Sequence, residues 1–175
     1  MASNWTDFVA GNILTAAQLN GVLDNFQDIA IFNETQSGAT AGGTATAGAF
    51  DKRTLNTTVL NNIGGCSIAS SVITLATAGT YYLVGKAPAF KTNQSQSRLR
   101  NTTAGTTIMN GQPLYLANAN TVAGVSIVEG YITITASTNI ELQMRVATTV
   151  ASEGFGVAGG YDSNIYSTLF IQRIA

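Results

Sequence analysis

Short runs of alternating apolar and polar residues, cut by Gly, Asn and Thr, fill most of this chain. The clearest is Ile73–Phe90, ITLATAGTYYLVGKAPAF. There an apolar ITL run leads through an Ala-Gly-Thr turn into a segment rich in Tyr, Leu and Val. Aromatic and β-branched residues suit a pleated, half-buried surface, and Gly79 permits the reversal. From Phe50 onward the same grammar predicts about eight to ten strands. They are FDKRTLNTTVL, CSIASSVITL, TYYLVGKAPAF, SQSRLRNTT, TIMNG, VSIVEGYITIT, NIELQMRVATT, FGVAG and NIYSTLFIQRI. Alternation in Ile132/Ile134 and in Ile140/Leu142/Met144/Val146 implies one buried face for each strand. The last strand is apolar on both faces, with Ile165, Leu169 and Ile171 on one and Tyr166, Phe170 and Ile174 on the other. One face fills a core, so the other asks for a partner subunit.

The N-terminal segment has a different period. Thr15-Ala16-Ala17-Gln18 reads as a capping box, with Thr15 as N-cap and Gln18 reaching back. Leu19, Val22, Leu23, Phe26, Ile29 and Ala30 follow at three- and four-residue spacing, one apolar stripe of an amphipathic helix. The stripe is too short for a self-sufficient coiled coil, so the head or a partner surface must cover it, together with Trp5 and Phe8. Gln36–Gly48, QSGATAGGTATAG, is uncharged, small and glycine-rich, the composition of a linker. The expected organisation is an N-terminal segment over 1–34, a linker over 35–49 and a mainly β head over 50–175.

Composition narrows the function. Only 10% of the 175 residues are charged and the formal net charge is -1. A sparsely charged, near-neutral surface self-associates, and scattered Lys and Arg do not make a phosphate-binding patch. The densest basic group, Lys86, Lys91, Arg98 and Arg100, is minor. Cys66 is the single cysteine, so no intramolecular disulfide forms, and with no His to activate it the thiol is expected to be buried and inert. Neither a signal peptide nor a membrane span is visible. Triplets such as Asn56-Thr57-Thr58 then read as polar strand and turn residues.

Candidate chemistry is sparse. Gly154-Phe155-Gly156-Val157-Ala158-Gly159 matches G-x-G-x-x-G, but a β-like run follows where a dinucleotide site needs a helix. A glycine-rich strand closely approached by its neighbours is the expectation. The absence of His excludes Ser-His and Cys-His dyads and His-rich metal sites. Glu129, Glu141 and Glu153 could meet in space only if the fold brought them together. Asp162-Ser163-Asn164 offers oxygen ligands for a hard cation, although a plain loop explains it as well. An enzyme is not expected, and no cofactor or metal.

Two stretches carry a resemblance. The pattern Trp5, Phe8, Gly11, Leu14, Thr15–Leu19 and Asn20 resembles the opening of tailed-phage virion proteins, often labelled tail fibre proteins. From Phe50 on, the chain resembles a phage branch of the C1q/TNF-like jelly rolls. The matching residues are Arg53–Thr57, Ile73–Leu75, Ala78–Tyr81, Ala87–Ala89, Arg98–Asn101, Glu129-Gly130, Glu141–Gln143 and Gly154–Val157. That resemblance implies a C1q/TNF-like jelly-roll sandwich and a non-enzymatic homotrimer packed through a flat, aromatic-rich sheet. Tyr82, Phe155, Tyr166, Phe170 and Ile174 would line the trimer interface. Trp5, Phe8, Leu14, Leu19, Val22, Leu23, Phe26 and Ile29 would anchor the head to capsid or tail proteins. The expected role is a capsid decoration or cement protein on the virion surface, made in the host cytoplasm. The alternative is a tail-fibre or receptor-binding tip that meets a host surface receptor.

Overall fold

The period of two seen in the sequence is realised as a pair of stacked antiparallel sheets. The computed structural model describes residues 11, 13, 15, 16, 19, 20 and 28–174. Among them the strands are β1 (Ile29–Ser37), β2 (Phe50–Lys52), β3 (Thr57–Asn61), β4 (Cys66–Ala69), β5 (Val72–Leu75) and β6 (Gly79–Phe90). After these come β7 (Asn93–Asn101), β8 (Thr106–Leu116), β9 (Ala123–Ile134), β10 (Thr138–Val146) and β11 (Ser163–Arg173). The first sheet has the order β3-β1-β11-β6-β9 and the second β4-β5-β10-β7-β8, with β2 also on β10. The last strand, β11, sits between β1 and β6 at the centre of the first sheet.

The core lies between the sheets. Phe32, Tyr81, Leu83, Leu169 and Ile171 meet Ile73, Leu75, Leu99, Ile140, Leu142 and Met144 there, all essentially inaccessible. Cys66 is buried in the same cluster, and loss of water around its thiol pushes its pKa up to about 11.

One polar group crosses this apolar layer. Arg53, just after β2, donates from Nη2 to Glu34 Oε2 of β1 at 2.6 Å and from Nε to Ser167 Oγ of β11 at 2.8 Å. Its guanidinium lies 3.7 Å from the centre of the Phe155 ring, and its backbone N–H donates to the Leu142 carbonyl of β10 at 2.8 Å. The two charged side chains are only 1% and 2% exposed. Burial raises the Glu34 pKa and lowers that of Arg53, and their mutual attraction opposes both shifts.

Three expectations change here. Ile29 and Ala30, read as helical, open β1: Ile29-Ala30-Ile31-Phe32 also alternates, and pairing with β11 and β3 fixes it as strand. Ala16, Leu19 and Asn20 keep helical backbone, with the Leu19 N–H donating to the Thr15 carbonyl at 3.1 Å. No helix is otherwise defined among the described residues, and most of the expected stripe lies outside them.

Second, the stretch composed like a linker is part of the head. β1 runs through the expected boundary at 34/35 to Ser37, and residues 38–49 form a strap along the loop after β10. Ala45 is fully buried and exchanges both backbone hydrogen bonds with Val150, while the Gly42 N–H donates to the Gly156 carbonyl at 2.9 Å. The glycines serve close approach: a Cβ on Gly38 would fall 1.2 Å from the Tyr161 carbonyl oxygen.

Third, the FGVAG segment is a loop. Gly156 takes φ +131°, and a Cβ there would stand 2.4 Å from the Tyr166 ring. The close approach is as expected, but its geometry is that of a turn.

Glu34→Ala leaves Arg53 buried without its anion, and the expected loss is about 3–5 kcal/mol of stability. Urea unfolding at fixed protein concentration measures it. Adding Arg53→Met should restore much of the loss; a single variant as stable as the parent would contradict the role given to the pair.

Candidate functional site

The two sheets present opposite chemistries on their outward faces. In the first sheet, residues that alternate with the core point away from it, and the register aligns them in rows. Leu60 of β3, Ile31 of β1, Phe170 of β11, Val84 of β6 and Glu129 of β9 form one row across five strands. Ile29, Gln172, Tyr82 and Tyr131 form the next. Beyond them, Ile127 and Val125 of β9 continue the apolar surface. Tyr131 is 62% exposed and Val125 46%, high values for large apolar side chains in regular sheet. This apolar face is a candidate interaction surface.

Its polar members are few and ordered. The Tyr82 ring packs at 5.0 Å from that of Tyr131, tilted by 38°, and the Tyr82 hydroxyl donates to the Glu129 carboxylate. That bond pushes the Tyr82 pKa up to about 12, because ionising the phenol would set two anions side by side. Tyr82 therefore acts as a neutral, oriented ring.

Tyr82 and Phe170 stand on this face, with Ile174 just beyond the end of β11, 46% exposed. Tyr166 shares the parity of Phe170, but its hydroxyl is held by the Thr40 carbonyl at 2.8 Å and the Val157 carbonyl at 3.1 Å. Tyr166 therefore braces the strap and the loop after β10. Phe155 does not join the surface: it is 6% exposed, within the core beneath Arg53. Its neighbours Gly154 and Gly156 let the chain turn it inward, which the G-x-G spacing alone does not reveal. Ile29 lies on the outer face of β1, and Leu19 is 46% exposed. Trp5, Phe8, Leu14, Val22, Leu23 and Phe26 lie outside the described residues. Ile31, Leu60, Val84, Val125, Ile127 and Tyr131 escaped the sequence reading. The signal was present in β6 and β9, where apolar residues occupy both parities as in the last strand.

The second sheet's outer face is polar. Lys52, Arg98, Arg100 and Arg145 stand there with Glu141. Arg98 stacks 3.7 Å over the Phe50 ring and donates to Gln143 Oε1 at 2.8 Å; Gln143 in turn donates to Glu141 at 2.6 Å. Lys86 is on the first sheet, so the basic group read from sequence is divided between opposite faces. The same division separates Glu129 from Glu141, so the two do not form a carboxylate pair. Asn164 is committed to the strap: its Nδ2 donates to the Gly38 carbonyl at 3.0 Å and its Oδ1 accepts from the Gly159 N–H at 3.2 Å. Among the described residues, no group of three Cys, Asp or Glu side chains is placed to hold a metal ion.

No family model matches the chain, and no curated protein matches it. Solved structures do. The globular domain of the zebrafish complement 1qA protein superposes with a TM-score of 0.57 at 14% identity, over 85% of this chain and 98% of that one. Murine APRIL gives 0.50 at 9% identity, over 82% and 98%. PRD1 vertex protein P5 gives 0.49 at 15% identity, over 85% and 98%, a superposition too loose to argue from. At these identities the likeness concerns the fold. The two-sheet sandwich of this chain is a C1q/TNF-like jelly roll.

Proposed function

We propose that this chain is the self-associating head of a non-enzymatic bacteriophage virion structural protein: a homotrimer that decorates the capsid and is held there by its N-terminal segment. The observation that carries the proposal is the outward apolar surface of the first sheet, centred on Phe170, Val84, Ile31 and Leu60. Each large side chain buried there on assembly contributes on the order of 1.5–3 kcal/mol. Three copies are what the resemblance to C1q/TNF-like jelly rolls implies, and a heterologous contact between neighbouring subunits that closes makes such a ring. The polar second sheet then faces water.

The phage assignment rests on the Trp5–Asn20 pattern. Decoration is favoured over a fibre because β1 starts at Ile29 and the strap folds back on the head. The residues between the Trp5–Asn20 pattern and β1 are too few in sequence for a shaft. The N-terminal pattern also supports the second reading, a tail-fibre or receptor-binding tip. A non-enzymatic role is supported by a chain without His and by the separation of Glu129 from Glu141.

Phe170→Asp is expected to convert trimers into 18.1 kDa monomers in native mass spectrometry. Val84→Lys tests the same surface if the first variant does not fold; trimers in both would contradict the interface. Electron cryomicroscopy of intact virions tests the location. Density at threefold positions across the shell is expected, whereas density at the tail alone would replace decoration by the tip reading.

A further inference from the structure

On the second sheet, opposite the proposed interface, a cavity of about 570 Å³ opens between the strap and the strands. This lies within the roughly 300–1,000 Å³ of ligand pockets. Ala47 and Gly48 of the strap form one wall and Pro113 of β8 the other, with Gln94, Gln96 and Arg145 presented between them. Tyr115, paired with Gln94 across the β7–β8 ladder, stands beside the cavity with 67% of its surface exposed.

The polar groups here are not used up. Arg98 is engaged by Phe50 and Gln143, and Lys52 donates to the Ser70 carbonyl at 2.7 Å. The Arg145 side chain has no hydrogen bond or ion pair among the described residues, although it borders the cavity. Gln96 donates from Nε2 to the Gly111 carbonyl at 2.9 Å, which leaves its side-chain oxygen to accept. Gln94 keeps both its amide donors and its acceptor.

We infer that this cavity binds an acidic saccharide, with Arg145 pairing its carboxylate or phosphate, Gln94 and Gln96 its hydroxyls, and the Tyr115 ring a flat apolar face of the sugar. A guanidinium fork matches an oxyanion in two parallel hydrogen bonds. Adjacent amides on one strand face supply the mixed donors and acceptors that neighbouring hydroxyls need. An exposed ring beside them offers a flat apolar contact. An added peptide strand is disfavoured, because such a strand docks on a sheet edge, whereas Arg145, Gln94 and Gln96 stand on β10 and β7 in the interior of the sheet. Nucleic acid would need several free cations along a track.

A glycan array with matched neutral, carboxylated and phosphorylated oligosaccharides, probed with the whole chain, finds the ligand class. Acid-bearing members should be retained and their neutral counterparts not; preference between carboxylate and phosphate identifies the source of the charge. Calorimetry with the best-retained oligosaccharide should then show roughly a ten- to hundredfold loss for Arg145→Ala. Tyr115→Ala should lose several-fold, and Lys86→Ala, on the other face, nothing. Circular dichroism verifies that each variant is folded. Retention of no acidic glycan, equal retention of neutral ones, or unchanged affinity in Arg145→Ala would each overturn the assignment.

Discussion

A sheet has two faces, and in this chain both faces of the first sheet are apolar while the second sheet covers one. The rest of the architecture follows from that constraint. The inner face, with Leu83, Leu169 and Ile171, obtains its partner within the chain and makes a dry core. The outer face, with Ile31, Val84 and Phe170, has no second sheet over it among the described residues. Charge is distributed accordingly: Lys52, Arg98, Arg100 and Arg145 gather on the far side of the sandwich, where they do not oppose association. In the proposed assembly the subunit is one layer of a larger core.

The internal design is less economical than an all-apolar sandwich. A buried ion pair seldom adds net stability over apolar residues of equal size, yet losing one partner is costly. Glu34, Arg53, Ser167 and Phe155 join β1, the β2–β3 connection, β11 and the loop after β10 in one cluster. Its geometric demands fix how the strap and that loop sit against the sheets. Tyr166 and Asn164 complete the bracing from the other side, both donating to strap carbonyls. The end of the sandwich nearest the strap is thus held by polar contacts of defined direction.

Much of the fold was legible because strand alternation is a direct imprint of burial. The double parity of β11 announced a strand with an apolar outer face, and Cys66 with no partner announced a buried thiol. Three features were not legible, each for a physical reason. Ile29-Ala30-Ile31-Phe32 satisfies both a helical and an extended period, and only pairing with β11 decides between them. Glycines that permit close backbone approach have the same composition as glycines that permit flexibility, so the strap read as a linker. Phe155 looks like an interface aromatic until Arg53, a hundred positions away in sequence, is found stacked on it. Of the candidate interface, Phe170 was within reach from the alternation of its strand, and Tyr82 from the resemblance. Tyr131 and Val84 needed the register to join them.

The account stands or falls on whether the outer face of the first sheet is covered in solution. Sedimentation equilibrium of the unmodified chain, over a range of concentrations, asks this most directly. Three times 18.1 kDa, persisting on dilution, is the predicted mass. A concentration-independent mass of a single chain would contradict it.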